Sequence, residues 1–217
     1  PRVLNALNDD VYAQLAAHAI VLREDPAVAA VVLTGFGPKA FVSGADVTFL
    51  AAIQSPAEGV ATSERSKRPG NLLEQLGKPV VCALNGMAFG GGNEIAMCCT
   101  ARVMRKGLAV AVAQPEANLG IVPGAGATQR LPRLVGVEKA AEMLRTGRAI
   151  SSREAVECGL VREEVDGDVV EAAVRLARAA ARGEVVLTPI NSGPISTPNL
   201  LPPVELGHLS RATDALI

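Results

Sequence analysis

Two glutamates in unusual surroundings are the residues of this sequence best suited to acid–base chemistry. Glu94 follows three consecutive glycines in FGGGNEIAMCCT (89–100) and precedes an apolar stretch. Glu116 lies between the apolar run LAVAVA (108–113) and the loop NLGIVPGAGATQ (118–129). A carboxylate in water-poor surroundings is costly to ionise, so its pKa moves toward neutrality and it can exchange protons. Two such carboxylates facing each other could hold and direct one water molecule.

Each glutamate also has an ordinary structural explanation. An acidic residue in the first turn of a helix faces the positive end of the helix dipole, which would account for Glu94. Pro115 is a suitable first residue of a short helix, and Glu116 would then occupy the same kind of position. The apolar neighbourhood that the two glutamates share favours the chemical interpretation.

Glycine-bearing loops close to these residues leave backbone groups accessible. FVSGADV (41–47) follows one apolar segment, and FGGGNE (89–94) follows another. Because no bulky side chain blocks the approach, two such loops lying side by side would present two N–H donors to one oxygen atom, which is an oxyanion hole. The glycines would let an acyl carbonyl reach the backbone, with Glu94 beside the reacting carbon.

The composition of the chain limits its partners. The 217 residues are 49% hydrophobic and only 2% aromatic, which suits one sizeable domain with an aliphatic core. With 21 basic and 22 acidic residues, the chain has no broad positive field for nucleic acid or anionic lipid. No signal peptide or membrane-spanning apolar run is found, and we expect a cytoplasmic protein that binds neither nucleic acid nor membrane.

Helical segments are predicted from periodicity and capping patterns. Apolar residues from Leu4 to Leu22 recur at helical spacing and predict an amphipathic helix. Ser151 and Asp168 are each followed three residues later by a glutamate, which is the capping-box pattern at a helix start. Gly183 is predicted to end the second of these helices.

Strands are predicted from short, continuous apolar runs. VAAVVLTG (28–35) and PVVCALNG (79–86) end in glycine and are typical of strands covered on both faces. ARVM (101–104) and LAVAVA (108–113) are also strand-like. Strands that alternate with helices predict an α/β architecture.

Other chemical motifs are absent or weak. The four cysteines, Cys82, Cys98, Cys99 and Cys158, have no CxxC spacing, so we expect reduced core thiols and no metal site. There is no P-loop, and GFGPKA (35–40) lacks the third glycine of a dinucleotide motif. His18 and His208 lie on predicted helices far from any nucleophile elbow, and both are interpreted as ordinary helix residues.

Three segments in this order and spacing resemble the crotonase family, and most of all its enoyl-CoA hydratases. They are KAFVSGADV (39–47), NGMAFGGGNEIAM (85–97) and AQPEANLGIVPGAGATQRLPRLVG (113–136). LRTGRAISSREAVECGLV (144–161) is similar to the family's usual continuation. The resemblance implies an α/β crotonase-type (ClpP/crotonase) spiral of ββα units, which we expect over residues 1–183.

The resemblance also implies an activity and a set of site residues. Enoyl-CoA hydratases add water syn across the double bond of a trans-2-enoyl-CoA to give a 3-hydroxyacyl-CoA, without a metal or redox cofactor. By position, the backbone N–H groups of Ala45 and Gly91 match the family's oxyanion-hole donors, and Glu94 and Glu116 match its two catalytic glutamates. The segment that matches the CoA-binding part consists of Asp46, Val47 and Thr48. A homotrimer or a dimer of trimers is expected from the assembly of the relatives.

The sequence departs from the family pattern in three places. The strand or hairpin that usually precedes LNALN (4–8) is missing, and we expect the true N-terminus to lie upstream. Asn93 replaces a residue that is often cysteine in close relatives. Residues 184–217 do not match the family's tail, which covers the acyl pocket and builds the trimer. We expect them to form a linker and an incomplete helical region, with an apolar stripe on VELGHLSRATDALI (204–217).

Two alternatives remain open. The chain could catalyse other acyl-CoA chemistry on this fold, as a double-bond isomerase, a cyclic diene hydratase or an acyl-CoA hydrolase. Many relatives with other reactions keep one of the two glutamates or neither, so the pair favours a hydratase. The chain could also be a non-catalytic binding member of the fold, such as its RNA-binding relatives, although the near-zero net charge disfavours this.

Overall fold

The computed structural model describes residues 4–190, 193 and 195. The strands within them are β1 (Val31–Thr34), β2 (Ala40–Val42), β3 (Val80–Leu84), β4 (Met87–Phe89), β5 (Ala101–Arg105), β6 (Val112–Ala113) and β7 (Glu163–Val165). The α-helices are α1 (Asp9–Glu24), α2 (Val47–Ala51), α3 (Pro56–Glu74), α4 (Gly91–Met97), α5 (Ala127–Val135), α6 (Val137–Thr146), α7 (Ser152–Glu157) and α8 (Val169–Ala181), and a 3₁₀ helix covers Pro115–Leu119. The helix predicted for 204–217 lies outside the described residues.

The strands form two parallel sheets, and the chain alternates between them. One sheet has the order β1-β3-β5-β7 and the other has the order β2-β4-β6. Consecutive strands β1 and β2, β3 and β4, and β5 and β6 therefore belong to different sheets, and helical segments follow each pair. This repeat of two strands and a helical segment winds into the spiral that the sequence analysis predicts.

Glycines at the turns within the strand pairs let the backbone cross closely. A Cβ atom on Gly35 would lie 2.6 Å from Phe41 Cα, and one on Gly86 would lie 2.5 Å from the Lys39 carbonyl carbon. Asn85 joins the two turns, because its Oδ1 accepts from Gly35 N at 3.1 Å and its Nδ2 donates to the Gly35 carbonyl at 3.0 Å. The glycine at the end of each apolar run thus marks a contact between successive units.

The larger sheet is buried most completely at β3. Val80, Cys82 and Leu84 belong to the main core, whereas Val81 and Ala83 belong to the cluster formed with α8, as the alternation of side chains along a strand requires. The prediction of a strand covered on both faces is therefore confirmed for β3. Strand β1 is also covered on both faces, because Val31 and Leu33 pack against the main core and Val32 packs against the α8 cluster, but it lies at the edge of the sheet and is only partly buried.

Helix α1 begins later than the sequence analysis predicts. Asn8 caps it by accepting a backbone N–H, and residues 4–7 lie outside the helix. Leu7 instead forms a parallel bridge with Ala45. The prediction that Leu4 and Leu7 open the helix is wrong, because hydrogen bonds to a distant loop take the place of the helical ones.

Two further differences concern segments with weak patterns. Only Val112–Ala113 of the strand-like run 108–113 forms a strand. The longest helix, α3, was not predicted, and it contains Gly59 and an internal Pro69. Both residues weaken the helical signal of a sequence, so the packing of α3 against α1 and α4 decides its structure.

The predicted helix caps are observed. Ser151 Oγ accepts from Glu154 N at 3.1 Å, and Asp168 Oδ1 accepts from Val170 N at 2.8 Å. The Glu154 side chain does not return to the cap, because it pairs with Lys139 and Arg148 instead. The four cysteines are free thiols as predicted, although Cys158 is only partly buried.

We expect the close approach at Gly86 to make it far less replaceable than a glycine inside a helix. Gly86→Ala places a methyl group against the Lys39 backbone and should lower the free energy of unfolding by about 2–4 kcal/mol. Gly59→Ala, inside α3, is the matched control, because the new methyl group would lie 3.9 Å from its nearest neighbour, Ile53 Cγ2. It should be neutral or stabilising by up to about 1 kcal/mol. Urea denaturation measures both, and equal stabilities would contradict the packing described here.

Candidate active site

A cleft of about 820 Å³ opens where the three strands of the smaller sheet end. Strand β2 leads to Ala45, β4 leads to Gly91 and β6 leads to Glu116. Because these strands are parallel, their carboxyl ends bring the three residues to one edge of the sheet. Five of the seven predicted site residues line this cleft, namely Ala45, Val47, Gly91, Glu94 and Glu116.

A larger cavity, of about 1000 Å³, lies between α3, α5 and residues 183–190. Cys98 and Arg130 line it, but neither predicted glutamate and neither predicted backbone donor does. The smaller cleft brings these four groups together, and we therefore take it as the candidate active site.

The Glu94 carboxylate is buried and is held by the backbone of another segment. Only 3% of Glu94 is exposed, and its Oε1 accepts from Ala125 N at 2.8 Å and from Ala127 N at 2.9 Å. Gly126 lies between these donors with a φ of 116°, which lets both N–H groups converge on one oxygen. Burial raises the pKa of Glu94, while the two N–H groups and the charge of Arg130 act in the opposite direction.

Arg130 fixes the loop that holds Glu94. Its Nη1 donates to the Ala125 carbonyl at 3.0 Å, and its guanidinium pairs with both oxygens of Glu74 at 2.7 and 2.8 Å. A Cβ atom on Gly126 would overlap Arg130 Nη1, so the glycine makes room for the guanidinium as well as for the backbone turn. Sequence reasoning missed Arg130, because its partner Glu74 is distant along the chain.

The Glu116 carboxylate has weaker partners. Glu116 is 8% exposed, and Gln114 Nε2 donates to its Oε1 at 3.3 Å and to its Oε2 at 3.4 Å. Asn93 Nδ2 in turn donates to Gln114 Oε1 at 2.8 Å. Burial and the nearby negative charge of Glu94 raise the pKa of Glu116 to about 7. Glu116 can therefore gain or lose a proton near neutral pH.

Ala45 and Gly91 lie close together where β2 and β4 end. In the bridge between Leu7 and Ala45, Leu7 N donates to the Gly44 carbonyl at 2.9 Å and Asp46 N donates to the Leu7 carbonyl at 2.7 Å. The N–H group of Ala45 itself therefore points away from Leu7. Gly91 is the first residue of α4, so its N–H group has no acceptor within the helix. A Cβ atom on Gly91 would lie 3.7 Å from Ala45 N.

Tyr12 is a residue of the cleft that sequence reasoning missed. Its hydroxyl oxygen would lie 3.0 Å from a Cβ atom on Gly91. Burial raises the pKa of Tyr12 to about 12, so the phenol stays protonated and neutral. Two features of the sequence could have indicated this residue. Tyr12 is the only tyrosine of the chain, and it lies on the predicted amphipathic helix, α1.

The segment 46–48 lies at the start of α2. Val47 is 64% exposed and lines the cleft. Asp46 and Thr48 are not among the lining residues. The Asp46 carboxylate caps α2, accepting from Thr48 N at 2.9 Å and from Thr48 Oγ1 at 2.6 Å, and these bonds lower the pKa of Asp46.

Neither a metal site nor a membrane helix is found in the described part of the chain. Over residues 4–190, no group of three or more His, Cys, Asp or Glu side chains is arranged to hold a metal ion. No helix over the same range is long and apolar enough to cross a lipid bilayer.

Residues 1–187 match the family described as Enoyl-CoA hydratase/isomerase. The chain belongs to this family. It is 38% identical over 196 residues to the crotonyl-CoA hydratase of Syntrophomonas wolfei, covering 83% of this chain and 74% of that protein. It is 40% identical over 188 residues to the mitochondrial enoyl-CoA hydratase of Pongo abelii, covering 86% of this chain but only 63% of that protein.

Solved structures of the family share the fold. The enoyl-CoA hydratase from Bacillus anthracis superposes with a TM-score of 0.73 at 36% sequence identity, over 84% of this chain and 68% of that chain. The predicted α/β crotonase fold is thereby confirmed. The spiral is therefore the fold of the Enoyl-CoA hydratase/isomerase family.

We expect the buried Glu116 carboxylate to destabilise the protein above neutral pH. Its pKa rises from an ordinary 4.5 to about 7 on folding, so the folded state binds the proton more tightly and this group's contribution to stability is lost as the pH rises through 7. Glu116→Gln removes the charge and should stabilise the protein at pH 8 by on the order of 3 kcal/mol. The gain should vanish near pH 4. Thermal and urea unfolding at both pH values measure this.

The control for this experiment is Glu138→Gln, on the exposed surface of α6. It should not reproduce the gain in stability at pH 8. If Glu116→Gln changed the free energy of unfolding by the same amount at pH 4 and at pH 8, that result would contradict the raised pKa.

Proposed function

We propose that the protein is an enoyl-CoA hydratase, which adds water across the C2–C3 double bond of a trans-2-enoyl-CoA to give a 3-hydroxyacyl-CoA. One observation supports this most directly: two buried carboxylates and two adjacent backbone N–H groups meet in a single cleft. Hydration needs this combination, because it develops negative charge on the thioester oxygen while protons leave water and reach carbon.

In the proposed mechanism, the N–H groups of Ala45 and Gly91 bind the thioester oxygen. They draw electron density away from C3 and stabilise the enolate that forms when water attacks. One donor of this kind is typically worth about 3 kcal/mol of transition-state stabilisation. Tyr12 remains neutral beside Gly91, so it adds no charge that would oppose the developing oxyanion.

The two glutamates have different surroundings, which support different roles. The N–H groups of Ala125 and Ala127 bind Oε1 of Glu94, and hydrogen bonds of this kind favour the ionised form. Its Oε2 is proposed to accept the proton from water. Glu116 has only long hydrogen bonds and a pKa of about 7. We therefore assign Glu94 as the general base for the water that attacks C3, and Glu116 as the acid that protonates C2.

The apolar side chains of the cleft suit an acyl group. Leu50, Ile53, Leu119, Ile121 and Val122 line its walls. Segment 46–48, at the mouth of the cleft, is proposed to bind the CoA part of the substrate. The relatives named crotonyl-CoA hydratase and short-chain-enoyl-CoA hydratase support a short acyl chain. Assembly into a trimer or a dimer of trimers remains a prediction.

We expect both glutamates to be essential for hydration. Glu94→Gln and Glu116→Gln should each lower kcat for crotonyl-CoA by about 10²–10⁴-fold, because each removes one proton-transfer group. The double variant should lose much less than the product of the two effects, since both groups are proposed to act on one water. The decrease in conjugated enoyl-thioester absorbance measures the reaction.

Glu138→Gln is again the matched control and should keep full activity. Circular dichroism must show that each inactive variant is folded. A folded single variant that keeps more than about a tenth of wild-type kcat, well above the expected range, would remove that glutamate from the mechanism. Purified wild-type protein with no activity on crotonyl-CoA or longer enoyl-CoAs would overturn the proposed function itself.

The oxyanion hole can be tested at Gly91. In Gly91→Ala, the added methyl group would lie 3.0 Å from the Tyr12 hydroxyl and 3.7 Å from Ala45 N, in the space where the thioester oxygen must approach. We expect kcat/KM to fall by at least about 100-fold while the protein stays folded. Gly59→Ala, in the wall of the same cleft, is the control for a mild change of the lining. Wild-type activity in Gly91→Ala would refute the assignment of this donor.

A further inference from the structure

Asn93 and Gln114 form a buried connection between the two glutamates. Asn93 precedes Glu94 on α4, and Gln114 lies just before the 3₁₀ helix that carries Glu116. Asn93 is 1% exposed and Gln114 is 0% exposed. The hydrogen bonds run from Asn93 Nδ2 to Gln114 Oε1 at 2.8 Å, and from Gln114 Nε2 to the two Glu116 oxygens at 3.3 and 3.4 Å.

The chemistry of a primary amide makes this arrangement directional. Gln114 has one carbonyl oxygen and one NH₂ group, which point in different directions from the same amide carbon. While its oxygen accepts from Asn93, its NH₂ group must face Glu116. In the reversed orientation, the Gln114 oxygen would lie against the Glu116 carboxylate, which is unfavourable when that carboxylate is ionised.

We propose, on the basis of the function proposed above, that Asn93 is a positioning residue that orients Glu116 through the side-chain amide of Gln114. Its own side chain does not line the cleft. Its hydrogen bond selects the Gln114 orientation that donates to the carboxylate. Because Asn93 and Glu94 are neighbours on α4, this one helix sets the placement of both carboxylates.

Few titratable groups act on Glu116 from the elements around it. Glu94 on α4 raises its pKa, and the Tyr12 phenol on α1 is neutral. Helix α6 also packs against the 3₁₀ helix, but its charged residues are exposed or lie in an ion-pair network away from the cleft. The members of this network are Lys139, Glu142, Arg148 and Glu154. The donation from Gln114 is a side-chain hydrogen bond to Glu116 that a substitution can remove.

The variants for the test remove each link separately. Asn93→Ala deletes the donor, and Gln114→Met replaces the amide with an apolar side chain of similar length. Asn93→Asp keeps the shape but can only accept, so it should turn the Gln114 oxygen toward Glu116. Ser152→Ala is the control, because Ser152 is a buried polar residue that does not line the cleft and accepts from Leu108 N.

We expect Asn93→Ala to lower kcat for crotonyl-CoA about tenfold with KM changed less than about twofold, as for a group that acts only in the transition state. Weaker donation from Gln114 should raise the pKa of Glu116. The basic limb of the pH profile of kcat/KM should then move to higher pH. Asn93→Asp should move it further in the same direction. In a Gln114→Met background, Asn93→Ala should change neither kcat nor the basic limb.

A second readout does not depend on activity. The carboxyl ¹³C resonance of Glu116, assigned with Glu116→Gln, should titrate at higher pH in Asn93→Ala than in wild type and be unchanged in Ser152→Ala. An unchanged Glu116 titration, or independent effects of Asn93→Ala and Gln114→Met, would overturn the positioning role. A shifted titration in a protein that does not hydrate enoyl-CoA would uphold the positioning and refute only the proposed function.

Discussion

The burial of the Glu94 carboxylate is the constraint on which the rest of the site depends. An ionised carboxylate out of water is strongly unfavourable unless hydrogen bonds replace its hydration. Here the N–H groups of Ala125 and Ala127 do so, and they converge only because Gly126 adopts a positive φ. Arg130 and Glu74 then hold that loop in place. The turn at Gly126, the start of α5 and the α3–α5 ion pair together hold this one buried carboxylate.

The spiral explains how distant segments meet at this carboxylate. Each strand pair adds one strand to the smaller sheet, and every such strand ends at the same edge. One end supplies the Ala45 N–H group, the next supplies Gly91 and Glu94, and the third supplies Gln114 and Glu116. The register of three parallel strands therefore determines the distances between groups that lie far apart in sequence.

The two glutamates illustrate how one cleft gives similar groups different properties. Glu94 has two short, charge-stabilising bonds from a fixed backbone. Glu116 has two long bonds from an amide that is itself held by Asn93. The N–H groups and Arg130 oppose the rise that burial causes in the pKa of Glu94, whereas the pKa of Glu116 is raised to about 7 by burial and by the nearby Glu94. The raised pKa of Glu116 lowers stability above neutral pH at the position where we propose that a proton is exchanged.

The sequence by itself determined the repeat of apolar runs ending in glycine, the two glutamates in apolar surroundings, and the caps at Ser151 and Asp168. These are local patterns, since the residues that cause each of them are neighbours in the chain. Only the tertiary structure decided that Leu7 leaves the helix to pair with Ala45, that α3 is a helix, and that Tyr12, Arg130 and Gln114 belong to the site. Arg130 and Gln114 act through partners such as Glu74 and Asn93, and no periodicity or motif encodes a contact between segments that meet only when parallel strands align.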